Sequence, residues 1–200
     1  MRWDELFDDL AGQFDAEREA EVRRAQIEDE RMRVARLTIR DRLFALERSL
    51  QPNETITLLL HSGDRLEVIP SEFGADWFSA HTRSSPPASC QQVIIPIAGV
   101  SSMLLTGDQL DRSLQPSEER ASALTAKLGL AIPLRDLARR RVTVECTTAS
   151  GQCFGTIDRV GRDHLDLAVH DLDSPRRQRS VRVYRVFPFD QLQLIRTLPN

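Results

Sequence analysis

The stretch VTVECTTASGQCFGTIDRVGRDHLDLAVH, residues 142–170, occurs twice in this chain, once sharply and once blurred. In it, short runs of alternating apolar and polar residues are separated by Ala149-Ser150-Gly151 and Gly161-Arg162-Asp163, the pattern of antiparallel strands joined by tight turns. The earlier stretch over residues 51–80 keeps the same order: Ser62-Gly63 matches Ser150-Gly151, Leu66 and Ile69 match Phe154 and Ile157, and FGADWF matches VGRDHL after a one-residue slip. Farther along, IPIAGV from Ile95 matches FPFDQL from Phe187. A correspondence that keeps its order over both stretches signals an internal duplication, which constrains the fold more than any single strand does.

Each copy reads as strand, tight turn, longer strand, Gly-Xaa-Asp turn, strand, polar loop, strand, a one-turn corner containing proline, and a last short strand. Five short antiparallel strands with two bare edges are expected to curl into a small barrel. Gly155 fits, because a glycine inside a strand marks the sharp bend that small barrels require; in this alignment the first copy has Glu67 there. The predicted fold class is mainly β with α: two tandem five-stranded small barrels preceded by a long N-terminal helix. The corresponding segments are 1–50 for the helix, 51–106 for the first barrel, 107–140 for a helical linker and 141–200 for the second barrel.

Residues 2–50 contain no proline and a single glycine, Gly12, and are dense in Glu, Arg and Ala, so they are read as one helix. Trp3, Phe7, Leu10 and Phe14 form one apolar stripe, and Met32, Ala35, Ile39, Leu43, Leu46 and Leu50 form another. The polar stretch between them is held by pairs such as Glu19 with Arg23 and Asp29 with Arg33. The first stripe reads either as a docking or dimerising arm or as a face folded back on the chain; the second is expected to pack on the barrels. In the linker, Ser117 caps a helix running toward Gly129, and a shorter helix spans Leu134 to Arg140. Leu124, Leu128, Leu130 and Leu134 are expected to seal one barrel against the other. HTRSSPPASC is an unpatterned loop.

The 200 residues are 40% hydrophobic and 28% charged, enough to bury one ordinary core or two small ones. No apolar run approaches a membrane span, and MRWDELFDDL carries acid where a signal peptide has its apolar segment, so a cytoplasmic location is expected. Three cysteines suit a reducing compartment better than a disulfide framework. Cys146 and Cys153 lie symmetrically about the turn at Ala149-Ser150 and should face each other on the core side. They suit a bridge or a metal, and more ordinarily small core hydrophobes. His61, His81, His164 and His170 do not recur at metal-ligand spacing, and phosphate loops, nucleophile elbows and dinucleotide fingerprints are missing. No catalytic, metal or cofactor site is therefore expected. Asp64, Asp76 and Asp163 are read as turn residues bonding their local backbone. A net charge of −3 disfavours a general polyanion binder, but SPRRQRSVRVYR gathers Arg176, Arg177, Arg179, Arg182 and Arg185 beside Tyr184, a set suited to phosphates and a stacked base and, more ordinarily, to a solvated edge strand.

LRDLARRRVTVECTTASGQCFGTIDRVGRDHLDLAV resembles the opening of the Sm-like (LSm) barrel, a variety of SH3-like fold, with a helix before the strands and the glycine of strand two in place. The resemblance implies RNA binding in the loops after strands two and four; FPFDQL occupies the second of these, where RNA binders carry an Arg-Gly signature. The chain is also similar, through MRWDELFDDL and GADW, to actinobacterial proteins labelled Fis-family transcriptional regulators. A helix-turn-helix needs two compact helices near the end, whereas this C-terminus is strand-like. The expected function is a non-catalytic adaptor whose helical arm (Trp3, Phe7, Leu10, Phe14) grips another protein or a second copy, with an RNA-binding regulator using the arginine loop as the alternative. No membrane partner and no small-molecule substrate are expected.

Overall fold

The computed structural model describes residues 3–83, 91–116, 127–170 and 183–198, with the backbone alone for 3–13, 15 and 16. The chain forms two compact units, Met1–Thr38 and Ile39–Asn200. The first is essentially one helix, α1 (Trp3–Ala35), 33 residues long. Its surface is laced by local ion pairs: Arg23 with Glu19 at 3.8 Å, Arg31 with Glu28 at 3.6 Å and Arg33 with Glu30. The single helix expected over 2–50 is in fact two. It breaks after Ala35, and α2 (Ile39–Ser49) begins just past Thr38. Thr38-Ile39-Arg40-Asp41 has the Thr-x-x-acid form of a helix start, a stop-and-restart signal outweighed in the sequence by the uninterrupted charge pattern.

The second unit is mainly β. Its strands are β1 (Ile56–Leu60), β2 (Arg65–Phe73), β3 (Trp77–Thr82), β4 (Gln91–Pro96), β5 (Val100–Leu104), β6 (Thr143–Thr148), β7 (Gly151–Val160), β8 (His164–Val169), β9 (Val183–Pro188) and β10 (Leu194–Thr197). Among the described residues two short helices, α3 (Gly107–Ser113) and α4 (Ala131–Arg140), lie between β5 and β6. All ten described strands join in one open antiparallel sheet of order β5-β1-β2-β3-β4-β10-β6-β7-β8-β9. This corrects the expectation of two separate closed barrels. The outer strand of the first half, β4, spends its free edge on β10, the last strand of the second half, with Ile94 opposite Ile195 and Val93 opposite Arg196. Edge groups that closure would have satisfied are satisfied by the other half instead.

The pairings of β6–β10 repeat those of β1–β5. Leu58 lies opposite Met103 in the first half, and Cys146 opposite Ile195 in the second. A register shift follows Pro70 in β2 and Ile157 in β7, at the same point of each ladder. A one-turn 3-10 helix precedes the last strand of each half, at Ile97–Gly99 and Phe189–Gln191. The ladders also move the sequence alignment by one residue. Leu58 faces Leu66, whereas Cys146 faces Cys153, so Leu66 corresponds to Cys153 and Val68 to Gly155. The slip belongs to the first turn, where three residues separate Leu60 from Asp64, against the two between Thr148 and Gly151. A Cβ at Gly155 would lie 2.3 Å from the carbonyl oxygen of Ala168, and the Cβ of Val68 forbids so close an approach in the first half.

Two apolar clusters form the core. Leu43 and Leu46 of α2 pack with Ile56, Leu58, Phe73 and Phe78, with Phe44 edge-on to Phe73 at 5.5 Å. The second stripe is therefore split: Leu43 and Leu46 are core residues, while Met32 and Ile39 are exposed. Leu134 and Leu137 of α4, the helix expected from Leu134, pack with Val144, Cys146, Ile157 and Leu165. The clusters exchange members across the junction, since Trp77 and Ile94 of the first half belong to the second cluster and Leu194 of β10 to the first. The linker helix expected from Ser117, with Leu124, and the loop over 84–90 lie outside the described residues.

Polar contacts fix what the cores leave free. The Thr106 hydroxyl accepts from Gln109 N–H at 3.2 Å and Gln109 Oε1 accepts from Thr106 N–H at 3.2 Å, a capping box that starts α3. Gln109 and Arg112 then reach back to Glu54, at 2.9 Å and 3.1 Å. The Arg112 hydrogen bonds foremost, then the backbone N–H of Gln51, hold the Glu54 carboxyl down to about 2 from an ordinary 4.5. A depressed carboxylate stabilises the fold above its unfolded pKa, and that contribution fades as the pH falls from 4.5 toward 2.

Glu54→Gln should cost about 1–2 kcal/mol at neutral pH. In urea denaturation, its deficit relative to the unaltered chain should shrink as the pH is lowered through that window. Gly155→Ala should destabilise by about 2 kcal/mol or more, because backbone stands where the methyl must go. Val68→Ala at the matching position should instead act as an ordinary core truncation, without the clash.

Candidate functional site

Three regions of the chain offer surfaces on which something else could act. The first is α1. Phe14 is 67% exposed, and Val22, Ile27 and Met32 also face solvent. Trp3, Phe7 and Leu10 lie on the helical backbone of α1, but their side chains lie outside the described residues, so only Phe14 of the predicted stripe has a described environment.

The second is the outer strand β9. Its six residues pair with β8 from Val183 opposite Val169 to Pro188 opposite His164, and its other edge is unpaired among the described residues. Val183, Tyr184 and Val186 are all exposed, at 60%, 59% and 58%. Arg185 lies with its guanidinium 4.8 Å from the ring centroid of Phe187 and reaches Ser150 Oγ at 3.4 Å. Of the predicted arginine set, Arg185 and Tyr184 are thus placed on one strand. Arg176, Arg177, Arg179 and Arg182 lie outside the described residues.

The third is a cleft of about 290 Å³ walled by Phe73, Trp77, Ile94, Leu128, Ile132 and Leu137, with Glu72, Asp136 and Arg140 among its polar neighbours. Sequence reading missed it because its walls come from β2, β3, β4 and α4, which no periodicity connects. Its geometry follows from a latch. Trp77 Nε1 donates to the carbonyl of Leu128 at 3.0 Å, Ala75 N–H donates to the same oxygen at 2.9 Å, and Asp76 Oδ1 accepts from Leu130 N–H at 2.9 Å. Asp76, read from sequence as a local turn residue, therefore holds the start of α4 from 54 residues away. Arg139 and Arg140 both pair with Asp136, and the Arg139 hydrogen bond foremost lowers the Asp136 pKa.

His164 Nδ1 lies 2.8 Å from Asp163, whose carboxyl that contact lowers, and His170 Nε2 lies 3.0 Å from Thr156 Oγ1 in a buried site. Among the described residues no group of three or more His, Cys, Asp and Glu side chains could hold a metal ion. Among the described residues no helix is long and apolar enough to cross a membrane. Glu145 is buried on β6 and receives Arg196 Nη1 at 2.9 and 3.0 Å, an ion pair beside the junction of the halves.

Cys146 and Cys153 face each other as register partners, as their symmetry about the turn predicted, and both are free thiols in the core. Burial, then Cys153 and Glu145, push the Cys146 thiol up to about 12. In native protein at pH 8, Cys146 should resist a thiol reagent for as long as the sheet stays folded and should react on denaturation, with each modified site identified by mass spectrometry. Compared with protein families, with curated proteins and with solved structures, the chain matches none of them.

Proposed function

We propose that this chain is a non-catalytic interaction module: two copies of a small barrel-like unit of Sm/SH3-like type, fused through β4 and β10, with α1 as an arm that docks on another protein or on a second copy. The observation that carries this reading is α1 itself. A 33-residue helix that forms a unit of its own, with an aromatic residue at Phe14 two-thirds exposed, gains little from solvent and much from a partner. The repeated order of helix, five strands and 3-10 corner supports the duplicated-unit reading. In both halves an arginine of the preceding helix donates to the equivalent glycine carbonyl, Arg40 to Gly74 at 2.6 Å and Arg135 to Gly161 at 3.3 Å.

A second reading, an RNA-binding regulator, is favoured by one feature. Tyr184 offers an exposed ring next to Arg185 on a strand that follows the arginine-rich segment.

The two readings separate in one experiment on the purified full chain, light scattering combined with absorbance at 260 and 280 nm. The adaptor reading predicts protein free of nucleic acid, with association that weakens when Phe7 and Phe14 are both replaced by Ser. Co-purifying RNA that is released by salt and lost in Arg185→Ala would overturn it in favour of the second.

A further inference from the structure

The cleft beside α4 is lined by two kinds of apolar side chain. Phe73, Trp77, Ile94 and Leu137 are buried, whereas Leu128 and Ile132 are 37% and 44% exposed. The polar groups deepest in the lining are already spent inside the protein. Trp77 Nε1 donates to the Leu128 carbonyl, and Ser79 Oγ lies 2.8 Å from Ser71 Oγ while accepting from Glu72 N–H at 3.1 Å. What the cleft offers an occupant is therefore mainly apolar surface. Its volume of about 290 Å³ is at the small end of ligand pockets, about 300–1,000 Å³, and suits large side chains better than a cofactor.

The wall that α4 supplies is positively charged. Arg135, Arg139, Arg140 and Arg141 are all exposed on this helix and at its C-terminal cap, against the carboxylates of Asp136 and Glu72. Asp136 holds Arg139 at 2.6 Å and Arg140 at 3.5 Å, and both guanidinium groups remain largely open to solvent. An occupant that suits the cleft thus combines large apolar side chains with surrounding acid.

The chain itself carries a segment of that chemistry. Residues 3–17 contain the stripe of Trp3, Phe7, Leu10 and Phe14, together with six acidic residues and no lysine or arginine. These residues lie on α1, and Phe14 faces solvent. We propose that the cleft beside α4 in one molecule receives the aromatic stripe of α1 from a second copy. The apolar walls take up one or more of its large side chains, and the acids around the stripe face the arginines of α4. The proposal rests on the reading of α1 as a docking arm, and names the surface on which that arm seats. Every copy then carries both an arm and a cleft, so the contact joins two unlike surfaces of the same chain.

The test is light scattering of the full chain over a range of concentrations. Ile132→Glu spoils the cleft and the double change Phe7→Ser, Phe14→Ser spoils the arm, each measured alone and in an equimolar mixture. Ile132 is exposed in the first turn of α4, where an acid suits the helix dipole, so unchanged circular dichroism and thermal midpoint are expected. Should that variant fail to fold, Ile132→Ser replaces it. The unaltered chain should rise with concentration above its 22.7 kDa protomer mass, and added salt should weaken the association. Each variant alone should associate about tenfold or more weakly. The mixture should associate more strongly than either variant alone, because one brings an intact arm and the other an intact cleft. A monomer at every concentration, insensitivity to salt, undiminished association in Ile132→Glu, or a mixture no heavier than its components would each overturn the proposal. Arms that pair only with one another would lose association in the Phe7, Phe14 variant and keep it in Ile132→Glu, which sinks this contact and leaves the adaptor reading standing. Association untouched by either variant would count against both.

Discussion

The pairing of β4 with β10 is the contact on which the rest of the second unit depends. It turns two five-stranded halves into one sheet, and the side chains beside it, Ile94 and Ile195, are buried. The halves also trade core residues there: Trp77 and Ile94 complete the second cluster, and Leu194 completes the first. Backbone hydrogen bonding alone would give an edge contact. The exchange of apolar side chains makes it a shared core, in which neither half buries its full complement without the other.

The polar groups at the junction are arranged to tolerate this burial. Glu145, buried on β6, is bonded by Arg196 of β10, one strand over. Gly99 lies so close to Gln193 that a Cβ would come within 2.6 Å of its Cα, and Gln193 Oε1 accepts from the Ser62 backbone N–H at 2.6 Å. The turn at Gly74–Trp77 adds the latch on Leu128 and Leu130. Each of these contacts joins segments far apart in sequence, and together they hold the helix-strand connections of the two halves in one frame.

The strands were legible in the sequence because alternation along a strand is a local signal, and the repeat was legible because the alternation recurs in order. Cys146 opposite Cys153 followed from the symmetry of a two-residue turn. The same reasoning placed Glu67 where Val68 belongs, because the extra residue of the first turn leaves no mark on hydrophobic period. α3 had a readable start in Thr106-Gly107-Asp108-Gln109, a capping box that went unused beside stronger neighbouring patterns. The junction was not legible at all. Alternation tells which face of a strand is buried and is silent about which strand lies along its edge, so closed barrels and an open fused sheet share one pattern. The exposed face of β9 was hidden for the same reason, since Val183, Tyr184 and Val186 read as ordinary strand residues until the order of the sheet places β9 outermost among the described strands.

The sheet order also dictates a schedule. Ile94 and Ile195 are about 100 residues apart, so the edge of β4 cannot be covered until nearly the whole described chain has left the ribosome. Through most of synthesis the first half presents β4 bare, with Leu194 missing from its core and Trp77 and Ile94 lacking the cluster they belong to. A nascent chain in this condition is exposed to mispairing with neighbours on the same message. The final short strand, only Leu194–Thr197, is what closes that interval.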